Sequence, residues 1–401
     1  MQSKLILKDK SEYIGRSFGA EKSMAGEVVF ATGMVGYPEA LTDPSFRGQI
    51  LVLTFPLIGN YGVPKKELWE SNKIQIAGLI VCNYIDTPSH HASVQTLSKW
   101  LKEQNIPALE IKDTRGLTQK LRSEGVMLGK IVFGKNIPFE NPDLRNLPAE
   151  VSTKEIYWAS EHLNFSPLRP SRSTGRDPRG IEIQTSGSLK TIIVIDCGMK
   201  WNIARRIAAR GFKVAVVPWD TDVTKLKFLF SAVVVSNGPG DPMKTTTTIK
   251  NVKKIMAKKI PLFGICLGNQ ILALASGGKT FKLKFGHRSQ NQPCVQTGTK
   301  RCFLTTQNHG FSVSKIPNGF KEWFYNANDN TNEGIIHEKL PFMSVQFHPE
   351  SSPGPLDTDW IFDYFLKRAG LLAFRHSHPV LERQELSGRS EDSYKHVGQL
   401  K

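Results

Sequence analysis

The chain of 401 residues is 39% hydrophobic and 22% charged, a length typical of two or three domains and a composition that excludes a wholly disordered protein. The 53 Lys and Arg residues outnumber the 36 Asp and Glu residues, but the positive charge is scattered, so we expect a basic surface and no nucleic-acid partner. No run of about 18 apolar residues occurs, so we expect no membrane partner.

Residues 1–150 are predicted to form a first domain of mixed α/β type. Short apolar runs punctuated by Gly and Pro indicate strands, and longer stretches with helical spacing indicate helices. The expected strands are 28–30, 50–55 and 76–81, and the expected helices are 94–104 and 117–124. Residues 151–189 then carry few apolar side chains and many Ser, Arg and Pro, which is typical of a linker or a long surface loop.

Residues 190–370 are predicted to form a second domain, and residues 371–401 a polar tail. The expected strands are 191–196, 213–217, 232–235, 261–265 and 342–347, and the expected helices are 202–210, 247–258 and 360–367. Continuous apolar strands that alternate with helices predict an α/β fold with a parallel-rich sheet flanked by helices.

The five cysteines are sparse and show no Cys-x-x-Cys spacing, so we expect neither disulfides nor a structural zinc site. The histidine pairs 90–91 and 376/378 have no carboxylate or cysteine at ligand spacing, and we expect no metal site. The first ten residues hold a three-residue apolar run, too short for the core of a signal peptide. The expected location is therefore the cytoplasm.

The segment Gly264-Ile-Cys266-Leu-Gly268 lies between a predicted buried strand and a helical pattern. It matches a nucleophile elbow, in which a tight turn exposes the nucleophile and needs small residues on either side. The start of the helix places the positive end of its dipole near the sulfur, which favours the thiolate. A buried cysteine after a strand is usually a small core residue, but the two glycines favour Cys266 as a nucleophile.

A cysteine nucleophile needs a base and a group that orients the base. His348 and Glu350 follow another apolar strand, and side chains two residues apart on an extended segment point to the same side. We therefore expect Glu350 to orient the imidazole of His348. The loop that contains Gly238 and Gly240 ends a further parallel strand, where its backbone N–H groups can stabilise an oxyanion.

These motifs resemble those of a class I glutamine amidotransferase, and the chain up to about residue 370 resembles the glutaminase small chain of carbamoyl-phosphate synthase. The first-domain motifs specify this subfamily. The motifs that carry the resemblance are residues 26–30, 36–39, 41–45, 58–61, 113–115 and 307–311. Segments 32–40 and 217–219 are most similar to the glutaminase part of the animal-type multifunctional pyrimidine-biosynthesis protein.

The resemblance implies an N-terminal small-chain domain, a C-terminal amidotransferase domain, and hydrolysis of glutamine to glutamate and ammonia through a thioester on Cys266. His348 would transfer protons, with Glu350 behind it. Backbone N–H groups of Gly240 and Leu267 would stabilise the oxyanion. Gly240 and Leu267 also belong to the set of residues that the resemblance implies to bind glutamine. This set is Ser45, Gly238, Gly240, Leu267, Gln270, Asn308, Gly310 and Phe311.

The resemblance also implies a partner, which is a separate or fused carbamoyl-phosphate synthetase that receives the ammonia for pyrimidine or arginine biosynthesis. No cofactor is expected in this chain, because the synthetase would bind ATP and Mg²⁺. One alternative is a stand-alone Cys-His hydrolase of γ-glutamyl compounds, but such an enzyme needs no docking domain. A second alternative, a nucleic-acid binder, depends only on the net charge of +17.

Overall fold

The protein is described by a computed structural model that covers residues 3–163 and 190–372. Within these ranges, no helix has both the length and the apolar character needed to cross a bilayer. The fold consists of a strand barrel followed by an open sheet, and both are joined to helices. This arrangement confirms the prediction of an α/β fold with an N-terminal mixed α/β domain.

The first domain is built on a closed barrel of seven strands, in the order β1-β2-β8-β6-β4-β3-β9. Its strands and the short pair β5–β7 are β1 Ser3–Leu7, β2 Glu12–Ser17, β3 Met24–Ala31, β4 Gln49–Leu53, β5 Leu57–Ile58, β6 Gly78–Val81, β7 Asn83–Tyr84, β8 Ala108–Glu110 and β9 Met127–Phe133. Its helices are α1 Tyr37–Thr42, α2 Leu97–Glu103, α3 Thr114–Glu124 and α4 Leu147–Val151. Strands β3, β4, β6 and β8 run parallel, and the other barrel pairings are antiparallel.

The alternation of side chains along β4 explains why the barrel has two apolar layers. Ile50 and Val52 pack with Leu5 of β1 in one cluster, whereas Leu51 and Leu53 pack on the opposite face with Trp69 and Trp100. Because both faces of β4 are buried, its sequence is continuously apolar, as parallel strands usually are.

The second domain is a sheet of ten strands in the order β10-β12-β11-β13-β14-β19-β18-β17-β15-β16. These strands are β10 Tyr157–Trp158, β11 Thr191–Asp196, β12 Lys213–Pro218, β13 Ala232–Val235, β14 Leu262–Ile265, β15 Lys279–Gln296, β16 Cys302–Lys315, β17 Phe320–Asn326, β18 Asn332–His337 and β19 Phe342–Val345. The helices are α5 Ala159–His162, α6 Trp201–Ala208, α7 Thr246–Ala257, α8 Leu267–Ala275 and α9 Trp360–Arg368.

Five neighbouring strands, β12-β11-β13-β14-β19, are parallel and carry buried clusters on both faces. Helices α6 and α9 contribute to one cluster, and α7 and α8 to the other. The carboxyl ends of these strands therefore meet at one edge of the sheet, which is where ligands bind in open parallel sheets.

Two parts of the second domain differ from the sequence-based expectation. Residues 157–162, inside the predicted linker, form β10 and α5, and β10 pairs with β12. The remainder of that linker and most of the predicted tail lie outside the described residues. The antiparallel half of the sheet was not predicted, because β15 and β16 carry many polar side chains and lack a continuous apolar run.

Candidate active site

Cys266 lies on a tight turn between β14 and α8, with φ of 54° and ψ of −102°. The left-handed φ is unfavourable for a residue other than glycine, and such strain is characteristic of functional sites. The flanking glycines make the turn possible: a Cβ atom on Gly264 would lie 2.4 Å from the carbonyl oxygen of Gly268, and one on Gly268 would lie 2.2 Å from that of Val235. The structure thus forms the predicted elbow.

His348 and Glu350 follow β19 and lie beside this turn. Nδ1 of His348 is 2.6 Å from Oε1 of Glu350, and both side chains are buried. Burial alone would lower the pKa of His348, but the Glu350 carboxylate and the Cys266 sulfur raise it to about 10. The Cys266 side chain interacts with the imidazole, and Nε2 of His348 has no other hydrogen-bond partner among the described residues, so this nitrogen is placed to exchange a proton with the sulfur.

A buried cation lies behind the pair. Nζ of Lys200 is 3.3 Å from Oε1 of Glu350, and the lysine side chain is 2% exposed. Burial raises the pKa of Glu350, but His348 and Lys200 lower it below its usual value. Glu70 of the first domain is also buried, and it binds the backbone N–H of Asn202 at 3.0 Å and the side chain of Arg205 at 3.3 Å. The edge of the sheet that carries Lys200 and Glu350 is therefore connected to the first domain through charged side chains.

A second connection between the domains consists of neutral and charged hydrogen bonds. The Asp43 carboxylate accepts hydrogen bonds from the Ser45 backbone N–H at 2.9 Å and from the Asn308 side chain at 2.9 Å. The side chain of Asn237, at the end of β13, donates to the Ser45 hydroxyl at 2.9 Å. All four residues are buried. Ser45 and Asn308 are therefore held in fixed positions although they come from different domains.

Ser45 and Asn308 line a cleft with about 410 Å³ of empty space, including its open mouth. The cleft is lined by Cys266 together with seven of the sequence-predicted residues, namely Ser45, Gly238, Gly240, Gln270, Asn308, Gly310 and Phe311. Leu267 is the first residue of α8, so its N–H has no carbonyl of a preceding helical turn to bind. Gly238 has to be glycine, because a Cβ atom there would lie 2.1 Å from the carbonyl oxygen of Cys197.

Charged side chains also line the cleft. Arg288 is buried, and its Nε has no hydrogen-bond partner among the described residues. Opposite charges meet where Nζ of Lys282 lies 2.5 Å from both Glu27 and Asp143. A ligand that carries a positive and a negative group can find complementary charges here.

A second cavity adjoins the cleft and shares Arg288 and Asn308 with it. It contains about 620 Å³ of empty space, including its opening, and begins at His348 and Lys200. Its outer part is lined by the loop of residues 33–36, in which Met34 and Val35 are 67% and 60% exposed. The space next to the imidazole is therefore continuous with a partly apolar surface.

Sequence reasoning missed Lys200, Asp43, Glu70 and Arg288. Lys200 follows the carboxyl end of β11 by four residues, so the rule that located the Gly238 loop could have found it. The other three lie outside that edge, in loops or on the antiparallel strand β15; Asp43 falls within the motif 41–45, whereas no local pattern marks Glu70 or Arg288.

Comparison with known sequences shows matches for both domains. Residues 5–131 match the family "Carbamoyl-phosphate synthase small chain, CPSase domain", and residues 193–368 match the family "Glutamine amidotransferase class-I". The two matches together account for most of the chain.

Three curated proteins illustrate the similarity. The chain is 48% identical to "Multifunctional protein CAD" of Squalus acanthias over 383 residues and 45% identical to "Multifunctional protein URA2" of Saccharomyces cerevisiae over 397 residues. It is 41% identical to "Carbamoyl-phosphate synthase (ammonia), mitochondrial" of Homo sapiens over 374 residues. These alignments cover 91%, 90% and 90% of this chain, but only 16%, 17% and 23% of the relatives.

Proposed function

Because the chain belongs to the carbamoyl-phosphate synthase small-chain family and carries a class I glutamine amidotransferase domain, we propose that it hydrolyses glutamine and delivers the ammonia to a carbamoyl-phosphate synthetase. The synthetase, on a separate or fused chain, would use ATP, Mg²⁺ and bicarbonate. The observation that carries the proposal is the Cys266 elbow beside the buried His348–Glu350 pair.

The reaction begins when Sγ of Cys266 attacks the side-chain amide carbon of glutamine while the proton of the sulfur is held on Nε2 of His348, whose pKa is raised to about 10. The C–N bond breaks, the imidazole returns the proton to the leaving nitrogen, and ammonia departs from a γ-glutamyl thioester. Water then gives a proton to His348 and attacks the thioester carbon. The C–S bond breaks, the sulfur is reprotonated, and glutamate leaves. Glu350 keeps the imidazole oriented throughout.

The oxyanion that forms during each attack needs hydrogen-bond donors next to the sulfur. The N–H of Leu267, at the start of α8, and the N–H of Gly240, in the loop after β13, would supply them. The side chains of Ser45, Gln270 and Asn308 and the backbone of residues 310–311 would hold glutamine. Arg288 would face its carboxylate, because it is the buried cation on the wall of the cleft.

The cavity that begins at His348 supports the transfer of ammonia. Ammonia is released where the imidazole donates its proton, and the cavity lined by this imidazole is also lined by residues 33–36, which do not line the glutamine cleft. The exposed Met34 and Val35 at its outer end would form part of the docking surface for the synthetase. A plain hydrolase of γ-glutamyl compounds would need neither the cavity nor this surface.

Similarity alone does not identify glutamine as the nitrogen source, because one relative is named for ammonia. The direct test is therefore glutamate release by purified full-length chain. Cys266→Ala should reduce the rate by at least about 10³-fold, since the thioester cannot form. Cys302→Ala, which alters an exposed cysteine, is the matched control and should keep the wild-type rate. Equal residual rates in wild type and Cys266→Ala would refute glutaminase activity.

Ammonia delivery needs a separate test with the chain's own synthetase partner. Ala40 lines the cavity, so Ala40→Phe should obstruct it, lowering carbamoyl phosphate made from glutamine several-fold while glutamate release continues. Synthesis from added ammonium chloride should not change. Ala327→Phe, at an exposed position outside the cavity, controls for the added ring. If Ala40→Phe leaves glutamine-dependent synthesis unchanged, ammonia does not use this cavity.

A further inference from the structure

A cluster of two histidines and one glutamate lies inside the second domain, next to the cleft, whose wall includes His309. His287 is on β15, His309 on β16 and Glu333 at the start of β18, and all three are buried. One ring nitrogen of each histidine and one oxygen of the carboxylate lie within 4.8 Å of one another. The proposed reaction does not use any of these three side chains.

The outer nitrogen of each histidine already has an acceptor. Nε2 of His287 is 2.9 Å from Oδ2 of Asp329, and Nδ1 of His309 is 2.8 Å from the carbonyl oxygen of Phe311. If each of these nitrogens carries the proton, Nδ1 of His287 and Nε2 of His309 are lone pairs that point into the cluster. The Asn326 side-chain amide approaches Nδ1 of His287 at 3.4 Å, which agrees with an acceptor at that position.

The inner atoms then form a group of acceptors. Oε1 of Glu333 is 3.3 Å from Nδ1 of His287 and 3.7 Å from Nε2 of His309, and Oε1 of Gln307 is 3.1 Å from the same Nε2. Oε2 of Glu333 is buried and has no hydrogen-bond partner among the described residues. Buried lone pairs that face one another repel unless a cation lies between them.

We propose that this cluster binds a divalent transition-metal ion, with Zn²⁺ as the preferred ion, through His287 Nδ1, His309 Nε2 and the Glu333 carboxylate. Zinc–ligand bonds of about 2.0–2.2 Å place tetrahedral ligands about 3.3–3.6 Å apart, close to the 3.3 and 3.7 Å found from Glu333 to the two imidazoles. A carboxylate and a carbonyl on the outer ring nitrogens are the usual supports of metal-binding histidines.

The site would brace strands β15, β16 and β18 directly behind the cleft. His309 lies between Asn308 and Gly310, so a metal ion on its imidazole would fix the part of β16 that lines the cleft. Asp329 is 40% exposed and bonded to His287, which gives the ion a short path from the surface. The three ligands lie on separate strands and form no sequence motif, so they give no local signal of a metal site.

The test uses full-length chain with Cys266→Ala, so that the nucleophilic thiol cannot bind the ion, and measures zinc content after dialysis together with Co²⁺ titration. We expect one Zn²⁺ per chain, visible absorption bands typical of four-coordinate Co²⁺ without a thiolate charge-transfer band, and a higher melting temperature with metal. These readouts do not depend on glutaminase activity.

Two variants make the test specific. Glu333→Gln keeps the shape and removes a ligand, so affinity should fall by more than about 100-fold. Asp329→Asn removes only the outer support, so affinity should fall by about 10–100-fold. The double variant His90→Ala/His91→Ala alters an exposed pair of neighbouring histidines and should bind the ion as the parent does. The proposal is overturned if the parent binds neither ion, or if both variants bind like the parent; a proton would then hold His287 between the two carboxylates.

Discussion

Nδ1 of His348 lies 2.6 Å from Oε1 of Glu350, and Nζ of Lys200 approaches the same carboxylate oxygen at 3.3 Å. Glu350 therefore has two cationic neighbours in a fully buried position. One consequence is that the carboxylate stays ionised despite burial, which keeps it an acceptor for the imidazole N–H. A second is that the Nε2 atom of His348 is directed away from Glu350 and, within the described part of the chain, has no partner besides the Cys266 side chain, as a proton-transfer group requires.

Glu350→Gln should lower kcat for glutamine hydrolysis by about 10²–10⁴-fold, because the amide cannot stabilise the imidazolium that forms during proton transfer. The same change should lower the pKa of His348, since the Glu350 carboxylate is one of the groups that raise it to about 10. Steady-state kinetics measure kcat, and the pH dependence of kcat/KM measures the shift in the pKa of His348. Glu338→Gln, at an exposed position, is the control. A Glu350→Gln enzyme with wild-type kcat would show that the carboxylate plays no part.

The parallel half of the second domain could be predicted from sequence because it depends on local patterns. The predicted strand 191–196 and the observed β11 coincide, and the predicted helix 247–258 is shifted by one residue from α7. Strands buried on both faces are continuously apolar, so they are recognisable without tertiary information. Cys266 could be placed for the same reason, since its elbow is a local pattern at the end of such a strand.

The connections between the domains could not be predicted in this way. Glu70 is an acidic residue in a polar segment, and nothing near it in sequence indicates that it is fully buried against Arg205. Its position depends on contacts more than a hundred residues away, and such contacts leave no periodic signal. His287 and Glu333 are hidden for the same reason, because each stands among other polar residues on an antiparallel strand and the two are 46 residues apart in sequence.

Glu70 should make folding stability depend on pH. Burial raises its pKa to about 7, although Lys200 and Arg205 oppose the shift. Between about pH 4.5 and 7 the folded protein holds a proton on Glu70 that the unfolded chain has released, so the free energy of unfolding falls as pH rises through this window. The free energy of unfolding of wild type minus that of Glu70→Gln should therefore decrease by about 3 kcal/mol over this pH window.

Urea unfolding at several pH values measures this difference. Glu67→Gln is the matched control, because Glu67 lies three residues before Glu70, in the 3₁₀ turn Lys66–Leu68, and is exposed. The Glu67 variant should follow the wild-type profile in parallel. If the free energy of unfolding of wild type minus that of Glu70→Gln stays constant from about pH 4.5 to 7, Glu70 does not bind a proton in the folded protein as expected.

Asp43→Asn should raise KM for glutamine by about 10–100-fold and leave kcat within a few-fold of wild type. Asp43 uses one carboxylate oxygen for the Ser45 backbone N–H and the other for the Asn308 side chain. An asparagine has only one side-chain oxygen, so its NH₂ group would face one of these two donors and that hydrogen bond would be lost. Loss of a hydrogen bond to a charged group costs about 1.5–3 kcal/mol. Steady-state glutamate release measures both constants. Asp86→Asn, which alters an exposed carboxylate bonded to Tyr84, should change neither. Equal losses in kcat and kcat/KM would instead place Asp43 in the chemical step.

Gly268→Ala should lower the free energy of unfolding by about 3 kcal/mol or more and abolish glutamine hydrolysis. The new methyl group would lie 2.2 Å from the backbone carbonyl oxygen of Val235, which belongs to a buried strand and cannot move aside.

Gly298→Ala is the matched control: Gly298 has a left-handed φ of 77° but open space around it, so backbone strain alone should cost about 1 kcal/mol. Urea unfolding and glutamate release compare the two variants. If Gly268→Ala loses no more stability than Gly298→Ala, close packing of the elbow against β13 is not what requires glycine, and the position of Cys266 on the wall of the cleft has another origin.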